Sequence, residues 1–115
     1  MSDLNKLTER IVTFRDARDW KQFHNPKDCA LSLVLEASEV LEHFQWKNGL
    51  DIEKHVHEKK EHIGEELADV LYWVLLLSND LGIDIKKALE DKMLKNEAKY
   101  PVEKAKGSAK KYTEY

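Results

Sequence analysis

Four carboxylates at a repeated spacing are the residues best suited to chemistry. Glu36 and Glu39 stand three apart, and after 26 intervening residues Glu66 and Asp69 repeat that step. On a helix, residues three apart lie on adjacent turns with Cβ atoms about 5–6 Å apart, so each pair forms one acidic edge. Glu36 has Leu33 and Val40 as its neighbours one turn away, and Glu66 has Ile63 and Val70, which sets the acids on apolar stripes. Like charges at this spacing destabilise a helix by about 0.2–0.5 kcal/mol, and partial burial without a counter-ion costs more. Acids on a solvated helix face normally have Lys or Arg one turn away. Residues 28–46 hold four acids and residues 61–85 hold six, with no Lys or Arg in either segment. If the two helices pack as a hairpin, the four carboxylates converge, and the cluster then requires protons or a divalent metal. Oxygen-only ligands favour Mg2+, or Mn2+, over zinc, because no Cys and no obviously placed His accompanies them.

Basic residues gather elsewhere. Residues 86–115 carry nine Lys against five acids, a net +4, whereas residues 1–85 carry ten basic and 17 acidic residues, a net −7. A phosphate ligand uses both halves, a metal held by carboxylates and cations for the remaining oxygens. Lys92, Asn96 and Lys99 lie four and three apart, on one helical face; the plain alternative is an exposed helix surface. Trp20, Phe23 and His24 precede the second helix, Phe44 and Trp46 close it, and Tyr72 and Trp73 follow Asp69 by one turn. Aromatic clusters are more often core than ligand cage. Trp73 shares a face with Asp69, however, and a base stacked on it would bring phosphates within reach of a metal.

These side chains need helices to position them. Leu4, Leu7, Ile11 and Phe14 recur at helical spacing and predict a first helix over about 3–20, capped by Ser2 or Asp3. Asn25-Pro26 starts a second helix that runs to about Trp46 or Lys47 and stops at Asn48-Gly49. Asp51 can cap the next segment, and residues 61–81 read as a central helix, apolar almost all round in its second half. Asp84 caps a fourth helix to about Tyr100, ended by Pro101, and residues 102–115 read as a basic tail that is loose or docked on a neighbour. The expectation is an all-α, four-helix-bundle-type subunit, with residues 1–101 as its one domain.

Composition excludes several classes. A chain of 115 residues is one domain at most, and four Gly with two Pro are too few for a turn-rich sandwich or barrel. A net charge of −3 with 36% charged residues offers no general basic surface for nucleic acid. The longest apolar run, residues 70–77, falls short of the roughly 18 residues that cross a bilayer. The first residues lack the pattern of a secretory signal, and the single Cys29 fits a reducing cytosol as a small buried hydrophobe, so a cytoplasmic location is expected.

E-A-S-E at 36–39 followed by E-L-A-D at 66–69 resembles the E-x-x-E and E-x-x-D signature of the MazG-like all-α nucleoside triphosphate pyrophosphohydrolases. R-D-W-K-Q-F-H-N-P (18–26), L-E-H-F-Q-W-K (41–47), E-E-L-A-D-V (65–70), K-M-L-K-N-E-A-K-Y-P (92–101) and K-K-Y-T-E (110–114) are similar to the dCTP pyrophosphatase branch, and the likeness spans about nine-tenths of the chain. The resemblance implies that Glu36, Glu39, Glu66 and Asp69 hold Mg2+. It implies that Trp20, Trp46 and Trp73 enclose a base, with His24 at the base or sugar, and that Lys92, Asn96, Lys99 and Tyr100 contact phosphates or close the pocket. Trp73 stands where the branch often has tyrosine, and Ile11 where some members have histidine, changes that bear on the base and leave the metal ligands intact.

The implied reaction is hydrolysis of dCTP, or a modified dCTP, to dCMP and pyrophosphate by water attack at the α-phosphate, in the service of nucleotide pool sanitation. Either Glu36 or Glu65 can take the water proton, and spacing does not choose between them; Glu65 reads equally as an exposed helical residue. The resemblance also implies helical dimers, often paired into tetramers, with each site built across subunits. Two other readings fit the residues: a pyrophosphohydrolase of the same superfamily acting on dUTP or noncanonical nucleotides, and a non-enzymatic helical bundle whose acidic groove binds a basic partner. Nucleic acid ranks behind both, because acidic helices repel phosphate unless a metal intervenes.

Overall fold

The computed structural model describes residues 2–115. Its helices run in the order α1 (Asp3–Ala17), α2 (Pro26–Glu42), α3 (Leu50–Asp80), α4 (Ile85–Lys99) and α5 (Val102–Ala105), with short 3-10 turns at Lys21–Phe23 and Tyr112–Glu114. The described residues contain no strand, so the chain is all-α as expected. They form two compact units, one ending at Gly82 and one comprising Ile83–Tyr115.

Helix starts follow the capping chemistry. The Ser2 hydroxyl accepts from the Asn5 N–H at 3.1 Å, Asn25 Oδ1 from the Asp28 N–H at 2.8 Å with Pro26 in the first turn, and Asp84 Oδ1 from the Lys87 N–H at 3.1 Å. Each satisfies an amide that the helix leaves without an internal partner. Asp51 caps nothing: Gly49 occupies the cap position of α3, and Asp51 lies in the first turn, where its charge favours the positive end of the helix dipole.

Two helices end earlier than periodicity implies, each for a backbone reason. Asp19 adopts φ 55° after α1, so the Trp20 N–H folds back onto the Arg15 carbonyl and the helix stops at Ala17. Trp46 adopts φ 67°, and residues 43–46 form tight turns instead of a further turn of α2. A left-handed Trp costs on the order of 1–3 kcal/mol. In α3 the regular helix breaks at Lys59, with φ −117° and ψ 19°, which separates the segment starting at Leu50 from the apolar segment read from residue 61 onward.

In the first unit α2 packs against α3 as an antiparallel hairpin: the start of α2, at Cys29, lies in the field of Asp80, whereas its end, at His43, meets Glu66. Cys29, Ile63, Leu75 and Leu76 are the buried apolar residues, and burial pushes the Cys29 thiol up, which keeps it protonated and inert. α1 is fastened to the end of α3 by Arg15, only 1% exposed, whose guanidinium donates to both Asp80 oxygens at 2.7 and 3.0 Å. Burial alone would raise the Asp80 carboxyl, but the Arg15 hydrogen bonds and charge outweigh it and hold the group below the usual range.

In the second unit α4 carries the exposed pairs Lys86–Glu90 and Lys87–Asp91. The tail contacts the end of α4 within its own unit. Tyr112 and Tyr115 pack edge-on to Tyr100 with ring centroids 5.9 and 6.1 Å away, and Lys99 Nζ sits 5.1 Å from the centre of the Tyr112 ring.

Asp80→Ala leaves the Arg15 cation buried without its partner and is expected to cost about 3–5 kcal/mol, read as a lower urea midpoint. Because the folded-state pKa of Asp80 lies below its unfolded value, its contribution is complete above about pH 4 and is lost as pH falls through the folded value. Asp80→Asn should therefore flatten the acid limb of the stability profile; an unchanged limb would count against the pair.

Candidate active site

The hairpin brings the two acidic edges together. The Glu36 carboxyl is pushed up first by burial, then by the charge and hydrogen bond of Glu39, then by the charges of Asp69 and Glu66, so all four acids share one electrostatic neighbourhood. Glu36 and Glu66 are half-buried, and Glu39 and Asp69 stand at the solvent edge. Glu36 Oε2 is buried with no hydrogen-bond partner among the described residues, and the buried Glu66 Oε2 has the His43 ring beside it. Buried acceptors without donors cost free energy, and a cation is the group that satisfies several converging carboxylates at once. The residues present therefore fit a divalent ion of the Mg2+ class.

Glu65 is exposed and lines a shallow groove of about 300 Å3 with Glu58, Lys59, Glu61 and His62.

The aromatic residues assemble as a chain within the first unit. Trp20 packs edge-on to Phe14 at 5.7 Å, Phe14 to Tyr72 at 6.4 Å, Tyr72 to Trp73 at 5.2 Å, and Trp73 to His24 at 5.3 Å between ring centroids. Arg18 lies over the Phe14 ring at 3.8 Å. The Nδ1 atom of His24 is buried without a hydrogen-bond partner. Trp20, His24 and Trp73 thus belong to one network one helical turn from Asp69. Trp46 does not join it and stands 90% exposed. An apolar groove of about 390 Å3, walled by Leu7, Ile11, Ala68, Leu71, Tyr72 and Leu75, has Asp69 at its rim. Ile11 is therefore part of the wall beside the acids.

Lys92, Asn96, Lys99 and Tyr100 lie in the second unit, the first three on one face of α4 by their spacing. Asn96 is half-buried and Lys92 exposed, while Lys99 and Tyr100 are engaged with the tail tyrosines.

Histidines accompany the acids after all, which corrects the reading of an oxygen-only site. His43 Nε2 lies 2.7 Å from Glu66 Oε2, His62 Nε2 lies 3.5 Å from Glu66 Oε1, and His43 Nδ1 lies 2.8 Å from His55 Nε2. The signal was present in the sequence, since His43 follows Glu39 by four residues and His62 precedes Glu66 by four, which extends each acidic edge by one turn.

Comparison with known proteins agrees with this geometry. Residues 31–115 match the model of the MazG-like family. Over 116 aligned residues the chain is 40% identical to dCTP pyrophosphatase 1 of Rattus norvegicus and 38% identical to dCTP pyrophosphatase 1 of Homo sapiens, in each case over 99% of this chain and 66% of the relative. The chain thus spans just under two thirds of the length of these curated relatives. A crystal structure of a pyrophosphatase from Archaeoglobus fulgidus superposes with a TM-score of 0.81 at 38% identity, covering 88% of this chain and 94% of that one. No described helix is long and apolar enough to cross a membrane. On the family match and the extent of these likenesses, the chain belongs to the MazG-like family.

Proposed function

We propose that the chain is a Mg2+-dependent nucleoside triphosphate pyrophosphohydrolase that converts dCTP, or a base-modified dCTP, to dCMP and pyrophosphate. The observation that carries this reading is the convergence of Glu36, Glu39, Glu66 and Asp69, with Glu36 Oε2 buried and without a donor. The names of the relatives, dCTP pyrophosphatase 1, support the substrate.

Glu36, Glu39, Glu66 and Asp69 hold the ion, with Mn2+ as a substitute. Bound there, Mg2+ supplies positive charge against the phosphate oxygens and lowers the pKa of the attacking water. Glu36, half-buried in the cluster, or Glu65, at the solvent edge, accepts that water's proton. Trp73 and His24, backed by Tyr72 and Trp20, offer aromatic faces for the base, and Trp46 reaches outward from its strained turn to a base held partly elsewhere. Lys92, Asn96, Lys99 and Tyr100 supply the cations and donors for the β- and γ-phosphates.

A second copy of the chain completes the site and covers the apolar stripes. Leu31, Val34, Leu35 and Leu41 on α2 and Leu67 and Leu71 on α3 are each between 43% and 65% exposed. Fully burying one such side chain contributes about 1.5–3 kcal/mol, a strong drive toward a dimer or tetramer of helical subunits. The unpaired Cys29 fits action in the reducing cytoplasm. The apolar wall at Ile11 favours a related reading, a substrate whose base carries an added apolar group, because such a wall accepts a methyl more readily than a donor.

Asp69→Ala or Glu39→Ala, both at solvent-exposed helix positions, should lower kcat/KM on the order of 1,000-fold or more with helicity by circular dichroism unchanged. Assayed with dCTP, 5-methyl-dCTP, dUTP and the ribonucleotides, the wild type should release monophosphate and pyrophosphate, with the cytosine deoxynucleotides preferred. Orthophosphate and diphosphate as products, or full activity in the Asp69 variant, would sink the proposal. Glu36→Gln removes one of four mutually repelling charges. It should raise the midpoint of metal-free thermal unfolding by about 1–4 °C and shrink the upward shift that Mg2+ gives the wild type.

A further inference from the structure

We infer that His43 and His62 make the Glu66 end of the acid cluster a mixed nitrogen–oxygen site for a divalent transition ion of the Zn2+ or Co2+ class. The site shares Glu66 with the proposed Mg2+ centre but does not rest on the hydrolytic reading, since its ligand atoms are gathered whatever the reaction. One ring nitrogen from each histidine and one Glu66 oxygen all lie within 4.8 Å of one another. Two ligand atoms each about 2.1 Å from one tetrahedral ion lie about 3.4 Å apart, so closure draws the widest pair together by up to about 1.4 Å. His62 has that freedom, with its side chain 60% exposed.

The surroundings of His43 point the same way. Its side chain is 10% exposed, and its Nδ1 is engaged by His55 Nε2 at 2.8 Å, which leaves Nε2 facing Glu66. Glu66 Oε2 is buried with that ring nitrogen 2.7 Å away, a spacing at which an imidazole and a carboxylate are held together by a shared proton or a common cation. A partner on the second ring nitrogen is also the arrangement that fixes the tautomer and orientation of a ligating histidine. The break at Lys59 lies between His55 and His62, so both sides of the kink contribute to one cluster around His43.

Donor chemistry selects the ion. Mg2+ takes oxygen ligands and keeps its waters, whereas imidazole suits zinc, cobalt, iron and nickel. Three protein ligands with an open position leave room for water or a phosphate oxygen. The chain therefore distinguishes two classes of ion at neighbouring positions, with Glu66 as the shared ligand.

The test is titration of the metal-free full chain with Zn2+ and with Co2+ alone, in the presence of millimolar Mg2+, by calorimetry and visible absorption. The wild type should bind Zn2+ and develop Co2+ ligand-field bands, with the side-chain nitrogen resonances of His43 and His62 shifting in 15N spectra. His62→Ala, at an exposed position, should weaken Zn2+ binding about tenfold or more, and His62→Cys should restore it. Equal Zn2+ affinity in wild type and His62→Ala, complete displacement of Zn2+ by Mg2+, or unshifted His43 and His62 resonances would overturn the inference. Loss of pyrophosphate release with Zn2+ binding intact would instead refute the hydrolytic reading and leave this one standing.

Discussion

Mutual repulsion among Glu36, Glu39, Glu66 and Asp69 is the constraint to which the rest of the first unit answers. Facing helices carry these acids without a Lys or Arg in either segment to neutralise them, and Glu36 registers the cost in a carboxyl pushed above its ordinary range. Something else must hold the hairpin closed. At its far end Cys29, Leu75 and Leu76 are excluded from water, and Arg15 ties α1 to Asp80. Stability is thus concentrated at one end of the hairpin and electrostatic strain at the other. An acidic cluster kept without Lys or Arg is a place where a bound cation would relieve the repulsion.

A chain of edge-to-face rings runs from Trp20 through Phe14, Tyr72 and Trp73 to His24, and Trp73 stands one helical turn from Asp69. A core role and a recognition role are compatible there: Phe14 and Tyr72 support the network, and Trp73 is its ring nearest in sequence to the acids. Trp46 stands apart, outward on a left-handed backbone, and the exposed leucines of α2 and α3 lie bare on the same two helices. Both features suit a subunit that finishes its pocket against another copy.

Much of this was legible in the chain because helices impose local rules. Ser2, Asn25-Pro26 and Asp84 announced helix starts through side-chain hydrogen bonds that span three residues, and such bonds need no distant partner. The E-x-x-E and E-x-x-D steps put each acid pair on one edge by geometry alone. Helix ends were less readable, since Asp19 and Trp46 turn left-handed against their own preference, which no spacing rule signals. The contact of Tyr112 and Tyr115 with Tyr100 was not legible either, because it spans loop residues whose composition suggested none.

The sequence by itself determined the helical class, the two acidic edges, the absence of basic residues around them and the family likeness, because each depends on residue type and a spacing of three or four. Only the tertiary structure decided that the edges meet, that Glu36 buries an oxygen without a donor, and that His43, backed by His55, and His62 crowd the Glu66 carboxylate. The i, i+4 steps from Glu39 to His43 and from His62 to Glu66 were in view, but a step on one helix says nothing of which residue it will face on another. That choice belongs to the register of α2 against α3, set by the packing of Cys29, Ile63, Leu75 and Leu76 and by the ion pair that anchors α1.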